Sequence, residues 1–205
     1  MSALKARDLV FDLGGVLVDW DPLYLYRDHL GASAADSEHL LGVVCTREWH
    51  DLLDRGMTFS VATRRLASQY PELAEQIRDW DKGWAHMFKG SRPGVDTLLR
   101  QLRADGYRLH VLSNHPAEKL DFLYSNFEFM RHFHSVIISG LLATAKPDTA
   151  IFAYLMKLLD NRPVIFFDDR IENVQAASTA GLQAHHCQPH SNLAEVVAKA
   201  IGKRY

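Results

Sequence analysis

The most regular feature of the sequence is a series of short, mostly apolar runs, each followed directly by polar residues. Runs of this length, bounded in this way, are typical of buried strands in a parallel sheet. The four clearest runs are residues 9–11 before Asp12, 109–112 before Ser113 and Asn114, 136–138 before Ser139, and 164–167 before Asp168 and Asp169. Residues 183–186 form a fifth, weaker run.

Amphipathic segments between these runs predict helices. Val95, Leu98, Leu99 and Leu102 recur at helical spacing, and Gly106 is a natural end for that helix. Further helices are expected to begin at residues 146–148 and to span residues 171–180. Strands that alternate with helices predict an α/β fold, with a three-layer, Rossmann-like core built on a parallel sheet.

Residues 20–90 interrupt this alternation. They contain helical patterns at residues 40–44, 49–53 and 61–70 but no strong strand run. We therefore expect an all-helical cap domain of residues 20–90, inserted into a core domain of residues 1–19 and 91–205. Glycine and proline near residues 19–22 and 90–93 suggest the hinges.

Composition excludes several classes of protein. The chain has 205 residues, with 23 basic and 25 acidic side chains and a formal net charge of -2, so a broad basic face for nucleic acid is not expected. No apolar stretch approaches the length of a membrane span or of a signal sequence. Two cysteines without CxxC spacing fit a reducing compartment, so we expect a cytoplasmic protein. The sequence does not predict an oligomeric state.

The polar residues that follow the strands form a candidate site, because the carboxyl ends of parallel strands share one edge of the sheet. Three carboxylates, Asp12, Asp168 and Asp169, would meet there with Ser113 and Lys146. One lysine cannot balance three crowded carboxylates, so a divalent cation is expected. Oxygen ligands of this kind suit Mg²⁺, which also takes ligands from a substrate phosphate. The set fits phosphoryl transfer through an aspartyl-phosphate.

These residues also carry a family resemblance. The run Val10-Phe11-Asp12-Leu13-Gly14-Gly15-Val16-Leu17 resembles the first motif of the haloacid dehalogenase (HAD) superfamily. Leu112-Ser113-Asn114, Lys146-Pro147 and Phe167-Asp168-Asp169 resemble its second, third and fourth motifs, in order, over about 160 residues. The helical insert resembles the C1 cap of the subfamily that contains dehalogenases, β-phosphoglucomutase and many sugar phosphatases.

The resemblance implies a role for each motif. Asp12 is the expected nucleophile, and Lys146 is expected to neutralise charge on it and on the phosphoryl oxygens. The Ser113 hydroxyl and the Asn114 backbone N–H would hold the phosphate. The metal would be bound directly by Asp12, the backbone carbonyl of Gly14 and Asp169, and through water by Asp168. The opposite assignment, with Asp168 as the direct ligand and Asp169 acting through water, stays open.

Gly14 departs from the usual pattern of the family phosphatases, most of which have a second Asp there as general acid and base. Such help is worth about 10²–10⁴-fold in rate. Three interpretations are open: a substrate whose leaving group needs little protonation, such as a sugar 1-phosphate; another acid, either His115 or a group of the cap; or weak catalysis. Sugar phosphatases of the family with Asp-Leu-Gly at this place argue against loss of activity.

The main prediction is a Mg²⁺-dependent phosphatase for a small phosphorylated metabolite, with sugar phosphates foremost. One alternative is a metal-independent 2-haloacid dehalogenase, although the Asp168-Asp169 pair has no task without a cation. A second is a receiver-type signalling domain, in which the paired acids would follow the first strand. A third is a phosphate-binding protein that has lost turnover.

Other polar and aromatic residues are weaker candidates for substrate or metal contacts. His50, Arg55, Trp84 and His115 are candidates for substrate contacts, although a structural role is the commoner explanation for each. His185, His186, Cys187 and His190 resemble a metal cluster in composition only, because adjacent residues of a strand point to opposite faces. Trp20, Trp49, Trp80 and Trp84 are expected mainly to pack in the core and cap.

Overall fold

The computed structural model describes residues 7–203 and has a parallel sheet at its centre. The strands are β1 (Asp8–Phe11), β2 (Val18–Trp20), β3 (Phe88–Ser91), β4 (Arg108–Ser113), β5 (Ser135–Ile138), β6 (Val164–Asp168) and β7 (Gln183–His186). Five of them form the parallel sheet, in the order β5-β4-β1-β6-β7. The carboxyl ends of β4, β1 and β6 are therefore neighbours at one edge of the sheet.

Helices cover both faces of this sheet. The α-helices are α1 (Ala34–His39), α2 (Arg47–Asp54), α3 (Phe59–Gln69), α4 (Ala74–Lys82), α5 (Val95–Ala104), α6 (Leu120–Asn126), α7 (Ser139–Leu142), α8 (Thr149–Leu158), α9 (Ile171–Thr179) and α10 (Leu193–Ile201). Single turns of 3₁₀ or π helix lie at Tyr24–His29, Leu40–Val44, Pro71–Leu73, Trp84–Met87, Ala117–Lys119 and Glu128–His132. None of the helices in residues 7–203 combines the length and the hydropathy needed to cross a bilayer.

The side chains of β1 show how the layers are built. Leu9 and Phe11 pack in the same cluster as buried residues of α5, α6 and α10, whereas Val10 packs with those of α8 and α9. Successive side chains of a strand point to opposite faces, so this alternation places helices on both sides. The predicted three-layer α/β core is confirmed, and the helices expected in the sequence are α5, α8 and α9.

The chain between β2 and β3 has a hydrophobic cluster of its own. It holds α1 to α4, and Leu53, Phe59, Ile77 and Trp80 are almost fully buried there. Trp20 and Phe88, at its two ends, pack against both this cluster and the sheet cluster.

The prediction of an all-helical segment 20–90 is wrong at the ends of that segment. Residues 18–20 and 88–91 form the antiparallel pair β2–β3. These strands have three and four residues, and most of their positions are partly or fully exposed, so they leave no apolar run in the sequence. The division into a core of residues 1–19 and 91–205 and a cap of residues 20–90 stays a prediction.

Candidate active site

The residues predicted at the strand ends lie around one cavity of about 430 Å³. Asp12 follows β1, Ser113 ends β4, and Asp169 follows β6. The sheet side of the cavity is lined by Asp12, Gly14, Ser113, Asn114, His115, Lys146 and Asp169. The helical segment between β2 and β3 supplies the opposite wall, so the cavity lies between the two hydrophobic clusters.

Lys146 is the central cation of the site. Its ammonium group donates to the carbonyl oxygen of Leu112 at 2.8 Å and to Oδ2 of Asp168 at 2.6 Å, and it lies 2.9 Å from Oδ1 of Asp12. Burial opposes charge on this side chain, but the two carboxylates outweigh burial and raise the pKa of Lys146. The lysine is therefore a fixed positive charge beside Asp12.

Asn114 positions the backbone of this lysine. Its amide Nδ2 donates to the carbonyl oxygen of Lys146, and its Oδ1 accepts from the N–H of Lys146, both at 2.8 Å. The side chain of Asn114 is thus engaged within the protein. Ser113 differs, since among the described residues its hydroxyl donates one long hydrogen bond, to the carbonyl oxygen of Asn114 at 3.4 Å.

The acids form a potential cation site. Oxygens of Asp12, Asp168 and Asp169 lie within 4.8 Å of one another. Asp168 accepts from Lys146, from the N–H of Arg170 and from Nδ2 of Asn173. By contrast, the Asp169 carboxylate forms no ion pair or side-chain hydrogen bond within residues 7–203. Burial and the negative charges of Asp12 and Asp168 raise the pKa of Asp169 to about 7. A divalent cation fits this set, because one ammonium group leaves the three carboxylates under-neutralised.

The loop after Asp12 brings two glycines to this cluster. The carbonyl oxygen of Leu13 accepts from Val16, Leu17 and Val18, which folds the loop tightly. Gly15 has a φ of +69°, and a Cβ built on it would lie 2.4 Å from Oδ2 of Asp169. A Cβ on Gly14 would meet nothing within 4 Å. Space therefore requires glycine at position 15 but not at position 14.

The wall of the cavity away from the acids is largely aromatic and contains polar atoms without partners. It includes Trp20, Trp80, Trp84 and Phe88. Within residues 7–203, the buried Nε1 atoms of the three tryptophans have no hydrogen-bond partner. The same holds for His50 Nδ1, His115 Nε2 and Asp54 Oδ1. Buried polar atoms without partners are costly, and all six of these atoms belong to residues that line the cavity.

The two histidines of the cavity are uncharged. Nδ1 of His115 lies 2.9 Å from the carbonyl oxygen of Pro116, which can only accept, so Nδ1 carries the proton. Burial lowers the pKa of His115 to about 4. Burial also lowers the pKa of His50 to about 3, and His115 and Arg47 act in the same direction.

Arg55, by contrast, does not line the cavity. Its guanidinium group forms a two-fold contact with the carboxylate of Asp148, before α8, with distances of 2.5 and 3.2 Å. Its neighbour Asp54 does line the cavity and was not anticipated. Asp54 is the last residue of α2 and Arg55 is the residue that caps this helix, and pattern alone does not show which of the two side chains faces the cavity.

The histidine-rich strand β7 does not gather metal ligands. His185 stacks on Phe167, whereas the Nε2 of His186 lies 2.8 Å from the carbonyl oxygen of Asp169. Across residues 7–203, the three aspartates are the single group of such side chains close enough to share an ion. His186 supports the backbone of Asp169, a contact that the sequence analysis did not anticipate.

Comparison with curated proteins gives several phosphatases. Sesquiterpene phosphatase astK of Aspergillus oryzae is 28% identical over 86% of this chain and 87% of its own length. Phosphoglycolate phosphatase 1 of Pseudomonas aeruginosa is 26% identical over 86% of this chain and 67% of its own. The phosphorylated carbohydrates phosphatase of Thermotoga maritima is 22% identical over 89% of this chain and 85% of its own length. The substrates in these names differ from one another.

Solved structures support the fold, and a family model shows the family. A HAD-like hydrolase of Porphyromonas gingivalis has a TM-score of 0.76 and 24% identity, over 98% of this chain and all of that one. The magnesium complex of a HAD family enzyme of Bacteroides thetaiotaomicron has a TM-score of 0.74 and 17% identity, over 95% of this chain and 99% of that one. Residues 9–181 match the model of the haloacid dehalogenase-like hydrolases, and because this match covers most of the chain, the protein belongs to that family.

Proposed function

We propose that this protein is a Mg²⁺-dependent phosphatase that hydrolyses a small phosphorylated metabolite, through an aspartyl-phosphate on Asp12. The observation that carries the proposal is the contact of the buried Lys146 ammonium with Asp12, beside a cluster of acids that one cation would complete. The phosphatases among its relatives support the same conclusion.

Each residue of the site has a task in this reaction. The Asp12 carboxylate attacks phosphorus in line, while Lys146, the Ser113 hydroxyl and the Asn114 backbone N–H bind the phosphoryl oxygens. Asp12, the Gly14 carbonyl and Asp169 would hold Mg²⁺, which neutralises phosphate charge when bound.

Asp168 has a different task in this proposal. Its oxygens already accept from Lys146, Arg170 and Asn173, so we assign it to hold the lysine and to act on the cation through water. We assign direct coordination to Asp169, whose carboxylate is available.

We propose a sugar phosphate as the substrate. Aromatic faces pack on the apolar faces of sugar rings, and the partnerless indole N–H groups of Trp20, Trp80 and Trp84 can donate to hydroxyl oxygens. A terpenyl phosphate is the second candidate, because the wall is largely aromatic and one relative is named a sesquiterpene phosphatase. A hydrocarbon would form no hydrogen bond with those donors, whereas a sugar hydroxyl oxygen can accept one.

The deciding experiment is phosphate release from glucose 1-phosphate, glucose 6-phosphate, phosphoglycolate and farnesyl phosphate, with Mg²⁺ or with EDTA. We expect Mg²⁺-dependent turnover with preference for a sugar phosphate, and no turnover by Asp12→Asn. Preference for farnesyl phosphate would favour the second candidate. Release no faster than by Asp12→Asn across the panel would overturn the phosphatase, and turnover of 2-chloropropionate in EDTA would favour a dehalogenase.

We further propose that residues 20–90 act as a cap that closes the cavity and selects the substrate. The aromatic wall and its partnerless atoms come mostly from this segment. A cytoplasmic location is also proposed, since Cys45 and Cys187 are buried free thiols, which suits a reducing compartment.

A further inference from the structure

Asp54 occupies an unusual position for an acid. It ends α2 on the cap side, is 4% exposed, and lines the same cavity as Asp12 and Lys146. The hydroxyl of Ser139 donates to the backbone carbonyl of Asp54 at 2.6 Å and accepts from the N–H of His115 at 3.0 Å. One hydroxyl from the core thus links this acid to the loop that follows Ser113.

Within residues 7–203, the one ion-pair partner of the Asp54 carboxyl group is His50, and it is uncharged. Oδ1 of Asp54 is buried and has no hydrogen-bond donor within residues 7–203; the nearest candidate, Nε2 of the uncharged His50, is 3.6 Å away. Burial, with the negative charges of Asp51 and Asp12, raises the pKa of Asp54 to about 8. Lys146 and Arg47 act in the opposite direction and reduce this shift. Burial without a charged partner therefore favours the protonated carboxylic acid.

The proposed reaction needs such a proton. When the phosphorus–oxygen bond of an alkyl phosphate breaks, the electron pair goes to the leaving oxygen, and an alkoxide leaves poorly unless it is protonated. Gly14 has no side chain to supply a proton, and the one proton of His115 is held by Pro116. Lys146 keeps its protons, because Asp12 and Asp168 outweigh burial and raise its pKa.

We propose that Asp54 is the general acid and base of this enzyme, acting from the cap, an inference that rests on the phosphatase function proposed above. In the first step Asp12 forms a bond to phosphorus, the bond to the leaving oxygen breaks, and that oxygen takes the proton of Asp54. In the second step the Asp54 carboxylate takes a proton from water, whose oxygen attacks phosphorus. The bond to Asp12 then breaks and returns its electron pair to Asp12, so water and ester become alcohol and phosphate.

The test compares leaving groups in the full-length protein with Mg²⁺. Phenyl phosphate needs a proton on its leaving oxygen, whereas 2,4-dinitrophenyl phosphate does not. Asp54→Asn, of nearly the same shape, should lower kcat/KM for phenyl phosphate by about 10²–10⁴-fold and leave kcat/KM for the dinitrophenyl ester close to wild type. Retained cleavage of the second ester shows that the variant is folded. Glu48→Gln, an exposed acid of the same helix that does not line the cavity, is the matched control and should behave as wild type.

A pH profile adds a readout that a structural role would not change. The groups that act on Asp54 are Arg47, His50 and Asp51 from α2, Arg55 directly after it, and Asp12 and Lys146 from the sheet side. Wild-type kcat/KM for phenyl phosphate should fall as the pH rises through about 8, where Asp54 loses its proton. This fall should be missing in Asp54→Asn.

The outcomes separate the two proposals. An equal loss of kcat/KM for both esters in Asp54→Asn would overturn the role of Asp54, and so would a fall of kcat/KM at alkaline pH that persists in this variant. Either result would leave the proposed phosphatase function intact. Failure of the wild-type protein to cleave either ester faster than Asp12→Asn would overturn the phosphatase, and this inference with it.

Discussion

Gly15 and Asp169 are in direct contact: a Cβ on Gly15 would lie 2.4 Å from Oδ2 and 2.7 Å from Cγ of the aspartate. We expect Gly15→Ala to displace the carboxylate, and so to weaken Mg²⁺ binding by about 10–100-fold, the usual effect of disturbing the surroundings of a metal ligand. The positive φ adds a stability cost of about 1–3 kcal/mol. Titration of activity with Mg²⁺ measures the first effect and urea unfolding measures the second.

The matched control is Gly181→Ala. Gly181 also has a positive φ, of +90°, but a Cβ there meets nothing within 4 Å. It should lose stability without any change in the Mg²⁺ requirement. An equal shift of the Mg²⁺ requirement in both variants would show that general strain, and not the contact with Asp169, is responsible.

Asp8 forms a charged cluster at the opposite end of β1 from the site. It is 1% exposed and accepts from Arg108 at 2.7 and 2.6 Å, and it lies 3.0 Å from Nε2 of His110. Burial opposes charge on Asp8, but these two partners outweigh it and lower the pKa of Asp8. We expect Asp8→Asn to reduce the free energy of unfolding at pH 7 by about 2 kcal/mol, as for hydrogen bonds to a charged group.

The pH dependence of this loss has a definite sign. Because the pKa of Asp8 is lower in the folded protein, its contribution is complete above the unfolded value of about 3.9 and is lost as the pH falls through the folded value. The difference between wild type and Asp8→Asn should therefore shrink in acid. Asp96→Asn, which disturbs the contacts of a half-exposed carboxylate with Arg100 and His132, should cost less than about 1 kcal/mol at pH 7. A difference in the free energy of unfolding between wild type and Asp8→Asn that stays the same at every pH would contradict this account.

The sequence predicted the sheet side of the site well for a physical reason. A parallel strand is buried on both faces, so it appears as an apolar run, and the residue after it must lie at the carboxyl edge. Asp12, Ser113 and Asp169 are located by that rule alone. Lys146 lies outside any strand, just before a predicted helix; the sequence analysis already placed it with the strand-end residues, and the resemblance to the third family motif supports that place.

The cap side was harder to predict, because its surfaces are defined by how helices pack and not by where strands end. The short β2–β3 pair was missed since its positions are mostly exposed. Asp54 and Arg55 show the same limit at one turn of α2, where the acid faces the cavity and the arginine faces Asp148. Both are charged residues at a helix end, so hydrophobic periodicity does not distinguish them.

Arg55 should therefore matter little to substrate binding. We expect Arg55→Ala to leave KM for the preferred substrate unchanged and to cost less than about 1 kcal/mol of stability, because both partners of its ion pair are about 40% exposed. Trp84→Ala, which opens the cavity wall and removes an indole N–H, should raise KM. Steady-state kinetics of the two variants measure both KM values. A raised KM in Arg55→Ala would show that Arg55 contributes to substrate binding.

Gly14→Asp tests whether an acid at the usual family position can work in this site. A Cβ at Gly14 meets nothing within 4 Å, so the position can carry a side chain without a clash at Cβ. In wild-type background we expect a modest gain of kcat/KM for phenyl phosphate and little change for 2,4-dinitrophenyl phosphate. In the Asp54→Asn background the gain should be much larger, because there the new carboxyl replaces a missing acid and does not duplicate one. Two residues that share one task show such non-additivity in a double-mutant cycle. Equal gains in the two backgrounds would mean that Asp54 does not supply the proton, and no gain in either would contradict our account of the missing acid at Gly14.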